Sequence, residues 1–210
     1  MHAQQEKKIG AAWMTASLVV CATSAPAGGI AYDVDPGASR ASVHVGKTGL
    51  GSFAGHEHEI TVGRIRGEVL ADLDDNARSS VELIIEAASL RVGDEPGDDG
   101  PKVQRTMQGR AVLDVARFPR IRFRSSAVSG KTLSAGLHQL TVQGELTLHG
   151  VAKSISVPVR LETQAGALTA TGQLGVKQSD FGIEPTTAGG GLVKVADEVA
   201  VSFRVVARRR

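Results

Sequence analysis

Two histidines one residue apart, His56 and His58, stand with Glu57 between them and Glu59 after them, and make the sharpest polar feature of the chain. On a strand, positions two apart share a face, so both imidazoles can reach one metal ion. Both are in phase with apolar Ile60 and Val62, which points them inward. A zinc site needs at least a third protein ligand, and His138, in phase with Leu140 and Val142, is the other histidine on an inward phase. These residues support a weak zinc site, in a metal-binding protein or a metal-dependent enzyme, or else a polar rim that grips a ligand headgroup. His44 and His149 fall on polar phases, His149 beside a hairpin turn.

Other chemistry finds little support. Glu57 or Glu59 beside a histidine suits general acid–base work, but charges adjacent on a loop are usually solvated. No nucleophile elbow, phosphate loop or HExxH spacing occurs. Gly189-Gly190-Gly191 lacks a following Lys-Ser/Thr, and Asp94, Glu95, Asp98 and Asp99 lack the ligand spacing of a calcium loop. The expectation is a protein that is not an enzyme and carries no cofactor.

Residues 1–27 read as a secretory signal peptide: Lys7 and Lys8 form a basic start, Ile9 to Ala22 an apolar run, and Ala25-Pro26-Ala27 a small-x-small cleavage site. The remaining 28–210 form one domain of 183 residues, with a periplasmic or secreted location expected. Cys21 is the only cysteine, and bulky Val20 before it disfavours a lipid anchor there; cleavage after Ala27 leaves no thiol and no disulfide. No later stretch approaches the ~20 apolar residues of a membrane helix. The mature region carries 22 Lys and Arg against 21 Asp and Glu, a balance that gives no case for nucleic acid or anionic membrane as partner. Arg120, Arg122 and Arg124 make a basic stripe without interleaved aromatics, the mark of a solvated outer face. Arg208-Arg209-Arg210 is a local basic end. Oligomeric state leaves no trace in the sequence.

The elements that must position any site are strands. Apolar and polar residues alternate through most of the mature region, the period of half-buried strands. The inward phases run through Val69, then Leu83 and Ile85, then Phe123, then Leu140, Val142 and Leu146. They continue through Val157, Leu174 and Phe203. These ten positions are the candidate lining of a lumen, or equally the filling of a packed core. The phase slips by one near Gly63, between Ile60/Val62 and Ile65/Val69, as a β-bulge would make it. Pro158 on a polar phase suggests an edge, a bulge or an opening between strands. Small residues at 170 and 172 leave room inside or admit a neighbour closely. After the Gly/Pro/Asp-rich loop 93–100, Pro101 opens a helical run through Val103, Met107 and Ala111, breakable at Gly109 and limited by Pro119. The fold expected is all-β, an antiparallel up-and-down barrel of about eight strands with a short helical insertion.

Four segments resemble a known family. Tyr32-Asp33-Val34-Asp35-Pro36 with Ser39 resembles the opening of the YceI-like domain, the polyisoprenoid-binding family of bacterial secreted proteins. Val112 to Phe123, Gly144 to Val151, and Ser179-Asp180-Phe181-Gly182-Ile183 follow in the family's order, so that the resemblance covers residues 31–207. It implies a lipocalin-like barrel outside the cytoplasm, with an elongated pocket for a long isoprenoid such as a polyprenol or quinone. The histidine-rich segment 55–59 and the stretch between Val92 and Val103 depart from the family's pattern.

Protein recovered from its native host should have the intact mass of a chain starting at Gly28; a diacylglyceryl adduct at Cys21 would contradict this reading.

Overall fold

A computed structural model describes residues 28–48, 58–93, 100–188 and 193–210. The alternating segments become β1 (Ile30–Val34), β2 (Arg40–Val45), β3 (Lys47–Thr48), β4 (His58–Val62), β5 (Ile65–Ala71), β6 (Ser80–Glu86) and β7 (Leu90–Val92). A helix, α1 (Gly100–Gln108), precedes β8 (Arg120–Ser134), β9 (Leu137–Leu148), β10 (Val151–Gln164) and β11 (Ala167–Lys177). The short β12 (Thr187–Ala188) and β13 (Val193–Val195) lead into β14 (Glu198–Arg209). Antiparallel pairing runs β1-β5-β6-β8-β9-β10-β11-β14, and β14 pairs back onto β1. Eight strands thus close into a barrel. Neighbours in the circuit are mostly neighbours in sequence, as in an up-and-down meander. β3, β12 and β13 form a separate small sheet.

The phase slip at Gly63 has a different cause from a bulge in one strand. β4 and β5 are separate strands: β4 pairs with β2 and β7, β5 with β1 and β6. Three adjacent chains break at one level, at 35–39, at 63–64 and at the 3-10 turn Ala87–Ser89, and together turn a corner of the barrel. Polar side chains repair the interrupted ladder there. The Ser39 hydroxyl, buried, accepts from the Val206 N–H at 3.0 Å and lies 3.3 Å from the Val206 carbonyl. Ser89 Oγ accepts from the Arg64 N–H at 3.2 Å and donates to the Glu86 carbonyl at 2.7 Å.

The helix is shorter than its sequence pattern. It stops at Gln108, Gly109 turns the chain, and Ala111 lies beyond it. Its Gln104 side chain takes the place of a strand beside β7: the amide oxygen accepts from the Val92 N–H at 2.9 Å, and the amide nitrogen donates to the Leu90 carbonyl at 3.0 Å. A row of strand-edge groups is thereby satisfied without a neighbouring strand. Pro158 marks an opening between strands: β10 keeps its pairing to β9, but the β10–β11 ladder begins only at Arg160↔Thr171. A residue without an N–H cannot continue that ladder.

Two ends follow from this path. One, the helix end, carries α1, the β9–β10 turn and the start of β4. The other, the terminal end, carries the start of β1, the end of β14, the β8–β9 and β10–β11 turns and the loop between β5 and β6. Asp35 helps hold the closing seam. One carboxylate oxygen accepts from the Gly37 and Ala38 N–H groups, and the other from Arg208 Nε at 2.7 Å.

Arg208, and then the Ala38 N–H, hold the Asp35 carboxyl below its usual range. Its stabilising contribution is therefore complete above the unfolded value of about 3.9 and is lost as pH falls through the lower folded value. Asp35→Ala should be less stable than the parent at pH 7 by urea unfolding, with the difference shrinking below about pH 4; a deficit independent of pH would contradict the role of the ionised carboxylate.

Candidate binding cavity

The barrel is hollow. About 330 Å³ of its interior is open to the centre of a water-sized sphere, and the lining runs from Ala71 and Leu168 at the terminal end to Val45 and Leu113 at the helix end. All ten inward positions read from the alternation line it. A filled core would bury every one. Here Val69, Leu83, Ile85, Phe123, Leu146, Leu174 and Phe203 stay only half-buried although they point inward, because they face open space. Leu140, Val142 and Val157 are buried.

Two pairs of residues keep the bulky rings out of the way. A Cβ at Gly144 would stand 2.7 Å from the Phe123 ring and 2.5 Å from the Arg124 carbonyl oxygen, and one at Gly172 2.6 Å from the Phe203 ring and closer still to the Pro158 carbonyl oxygen. Each phenyl therefore lies along the wall over a glycine on the adjacent strand. The small residue at 172 thus admits a close neighbour. Phe203 lies directly opposite Gly172 in the register, and Phe123 one diagonal step from Gly144.

The helix end is capped by a second apolar cluster. Leu90, Met107, Leu113, Phe181 and Ile183 are all buried there. His149, which the alternation placed on a polar face, is the joint of this cap. With Gly150 it forms the β9–β10 turn, both residues at positive φ (51° and 76°). Its ring meets Phe118 edge-on at 4.9 Å, and its Nδ1 lies 3.2 Å from the Phe181 carbonyl oxygen. The sequence signal for this role was the pairing of His149 with a glycine in a two-residue turn, where positive φ is required.

His138 and the strand start at His58 lie at opposite ends of the barrel. His138 is buried, but near the terminal end, with Nδ1 3.1 Å from Thr132 Oγ1, and it is not part of the cavity lining. His58 opens β4 at the helix end, opposite Val45. His56 lies outside the described residues. No group of three His, Cys, Asp or Glu able to hold a metal occurs among the described residues. On the outer face, Arg120 and Arg124 stand opposite Glu86 and Glu82 across the sheet, and Arg124 also faces Glu145.

This geometry is matched by known proteins. The YceI-like domain aligns with residues 32–207. The chain belongs to the YceI-like family. Three of the four characteristic segments converge on the cap through Phe118, His149 and Phe181, and the fourth, with Asp35 and Ser39, closes the seam. Burkholderia cenocepacia BcnA is similar at 25% identity and a TM-score of 0.64, over 82% of this chain and 98% of its own. A polyisoprenoid binding domain from Saccharophagus degradans, implicated in plant cell wall breakdown, shares the fold at 16% identity and a TM-score of 0.64, over 86% of this chain and 99% of its own. The YceI protein of Campylobacter jejuni matches at 15% identity and 0.56, over 72% and 84%. None of the curated proteins matches. No helix among the described residues is long and apolar enough to cross a membrane.

Gly144→Ala should cost about 1–3 kcal/mol by pressing on both the Arg124 carbonyl oxygen and the Phe123 ring, seen as a lower urea midpoint at unchanged slope. A Gly144→Ala protein as stable as the parent would contradict the close packing at this glycine.

Proposed function

We propose that this protein is an exported, non-enzymatic carrier that holds one long isoprenoid-like lipid, such as a polyprenol or quinone, in the barrel cavity. The observation that carries the proposal is the half-buried state of the inward aliphatic side chains around an open interior. Among the described residues, the lining has polar side chains only at Asn76, Ser79 and Gln178. An apolar guest is what such a wall can bind, since each buried CH₂ contributes roughly 0.8 kcal/mol. The relative described as a polyisoprenoid binding domain supports the same class of ligand. Export rests on the basic, apolar and small-residue pattern of residues 1–27.

The dimensions favour a tail of moderate length. Leu140 and Leu146 line one strand together with Leu148. Eight residue steps at about 3.3 Å make roughly 26 Å along the strand, or about 20 Å along the barrel axis at a tilt near 40°. With C–C bonds of about 1.5 Å set in a zigzag, that accommodates roughly four isoprene units.

Affinity for prenols should therefore rise with chain length and level off near that size, measured as a series of binding constants on one preparation. Leu83→Glu should abolish binding while the fold persists by circular dichroism, because an unpaired carboxylate in a dry wall costs several kcal/mol. Affinity independent of tail length, or full binding by folded Leu83→Glu, would contradict the carrier reading.

A further inference from the structure

The two ends of the cavity differ in what closes them. At the helix end the cover is apolar and buried, with Met107, Leu113, Phe181 and Ile183 packed together. At the terminal end, part of the wall is the loop that joins β5 to β6. β6 and β8 diverge there, since their pairing stops at Glu82↔Arg124 and the Val81 N–H is taken by Ser125 Oγ at 2.8 Å. The 3-10 turn Asn76–Arg78 in this loop contains no buried residue. Asn76 nevertheless lines the cavity, half-buried, so that it faces both the interior and solvent.

Of the three polar residues in the described lining, two are already engaged. Ser79 Oγ accepts from the Asp72 N–H at 2.9 Å, and Gln178 Nε2 donates to the Ala196 carbonyl at 2.9 Å. The Asn76 side-chain amide makes no hydrogen bond to any described residue. It offers one acceptor and two donors to whatever stands at that end.

The surrounding charge is negative. Asp72, Asp74 and Asp75 share the loop with a single cation, Arg78, which is bound to Asp72 at 2.8 Å and lies 3.5 Å from Asp75. The Asp75 N–H, and then Arg78, hold the Asp72 carboxyl below its usual range, so the loop keeps its charge at neutral pH. Arg208 and Arg210 at the same end are paired with Asp35, and with Asp33 and Glu68. Arg209, opposite Tyr32 and in phase with the lining residues Val205 and Ala207, sets one cation at the same rim against the loop's net charge of −2.

We infer that the loop Asp72–Ser79 is the mouth of the cavity, that Asn76 is the contact for the lipid's polar head, and that the loop selects an uncharged head over a phosphate. The inference rests on the carrier reading and adds to it the end at which the head lies, the residue that receives it and the class of head accepted. An alcohol or carbonyl can exchange a hydrogen bond with the Asn76 amide. A phosphate at the same place meets a loop of net charge −2 whose one cation, Arg78, is paired; with Arg209 at the rim the loop and rim together stay negative, and unlike the neutral head the phosphate is repelled in a salt-dependent way.

The test uses three probes with one tail: geranylgeraniol, geranylgeranyl phosphate and the parent hydrocarbon, each competed against a fluorescent apolar probe on the purified protein. The alcohol should bind several-fold more tightly than the phosphate at low salt, with the gap narrowing as salt is raised. Asn76→Ala should weaken the alcohol by about two- to tenfold, the worth of a hydrogen bond, and leave the hydrocarbon unchanged. Asp74→Lys, which alters an exposed side chain and brings the loop to zero net charge, should strengthen the phosphate several-fold and leave the alcohol unchanged. Tighter binding of the phosphate by the parent protein would overturn the inference. So would an Asn76→Ala loss equal for all three probes, or loss of the alcohol's preference in Gln178→Ala in place of Asn76→Ala. Each of those results leaves the carrier reading standing, whereas failure of all three probes to bind would remove that reading and the inference with it.

Discussion

Main-chain hydrogen bonds around a closed circuit hold this barrel, and everything else about its interior depends on that closure. A sheet that ends must bury one face against another layer to be stable. A sheet that returns to its first strand has no free edge and satisfies its own backbone groups. The side chains inside are then released from having to fill the space between them. Their half-buried state in the middle of the barrel is possible because β14 pairs with both β11 and β1.

The circuit is not perfect, and its interruptions are met by polar side chains. Ser39 stands in where β1 passes into β2, Ser89 where β4 passes into β5, Ser125 where β6 leaves β8, and Gln104 along β7. Each supplies a donor or acceptor that a continuous strand would have supplied, so buried backbone groups are not left unpaired. The apolar cap and the wall-hugging phenylalanines complete the design: buried side chains pack at the helix end around Phe181 and Ile183 and along the wall at Ile65, Val142, Val157 and Leu168, while Leu83, Phe123, Leu174 and Phe203 face the open interior. The family's characteristic segments serve closure and capping through Asp35, Ser39, Phe118, His149 and Phe181, and they also supply lining residues such as Leu113, Phe123, Leu146 and Ile183.

Much of this was legible in the sequence for a simple reason. Side chains on a strand alternate faces with a period of two, so ten lining positions from Val69 to Phe203 could be read from phase alone, with no knowledge of which strands pair. What phase cannot report is register and distance along the barrel axis. His138 and His58 share inward phases but sit at opposite ends, so the reading that joined them in one metal site had no means of separating them. The slip at Gly63 was visible, while its cause, a corner shared by three chains, depended on contacts between strands distant in sequence. Gln104 and Asn76 gave no signal, since an amide on a helix or in a polar loop is ordinary until its neighbours are known. The Gly144 and Gly172 pairings with Phe123 and Phe203 were hidden for the same reason, although the glycines themselves were conspicuous in strands that otherwise favour β-branched residues.

The central claim is that the interior is a site for a lipid and not an unfilled core. Native mass spectrometry of the protein purified from its own host, without detergent, addresses it most directly. The account predicts a population carrying one hydrocarbon-rich adduct per chain, released on denaturation and identifiable by its fragmentation. A stoichiometric metal adduct with no organic ligand, or a bare chain that takes up no lipid when incubated with a host lipid extract, would contradict it.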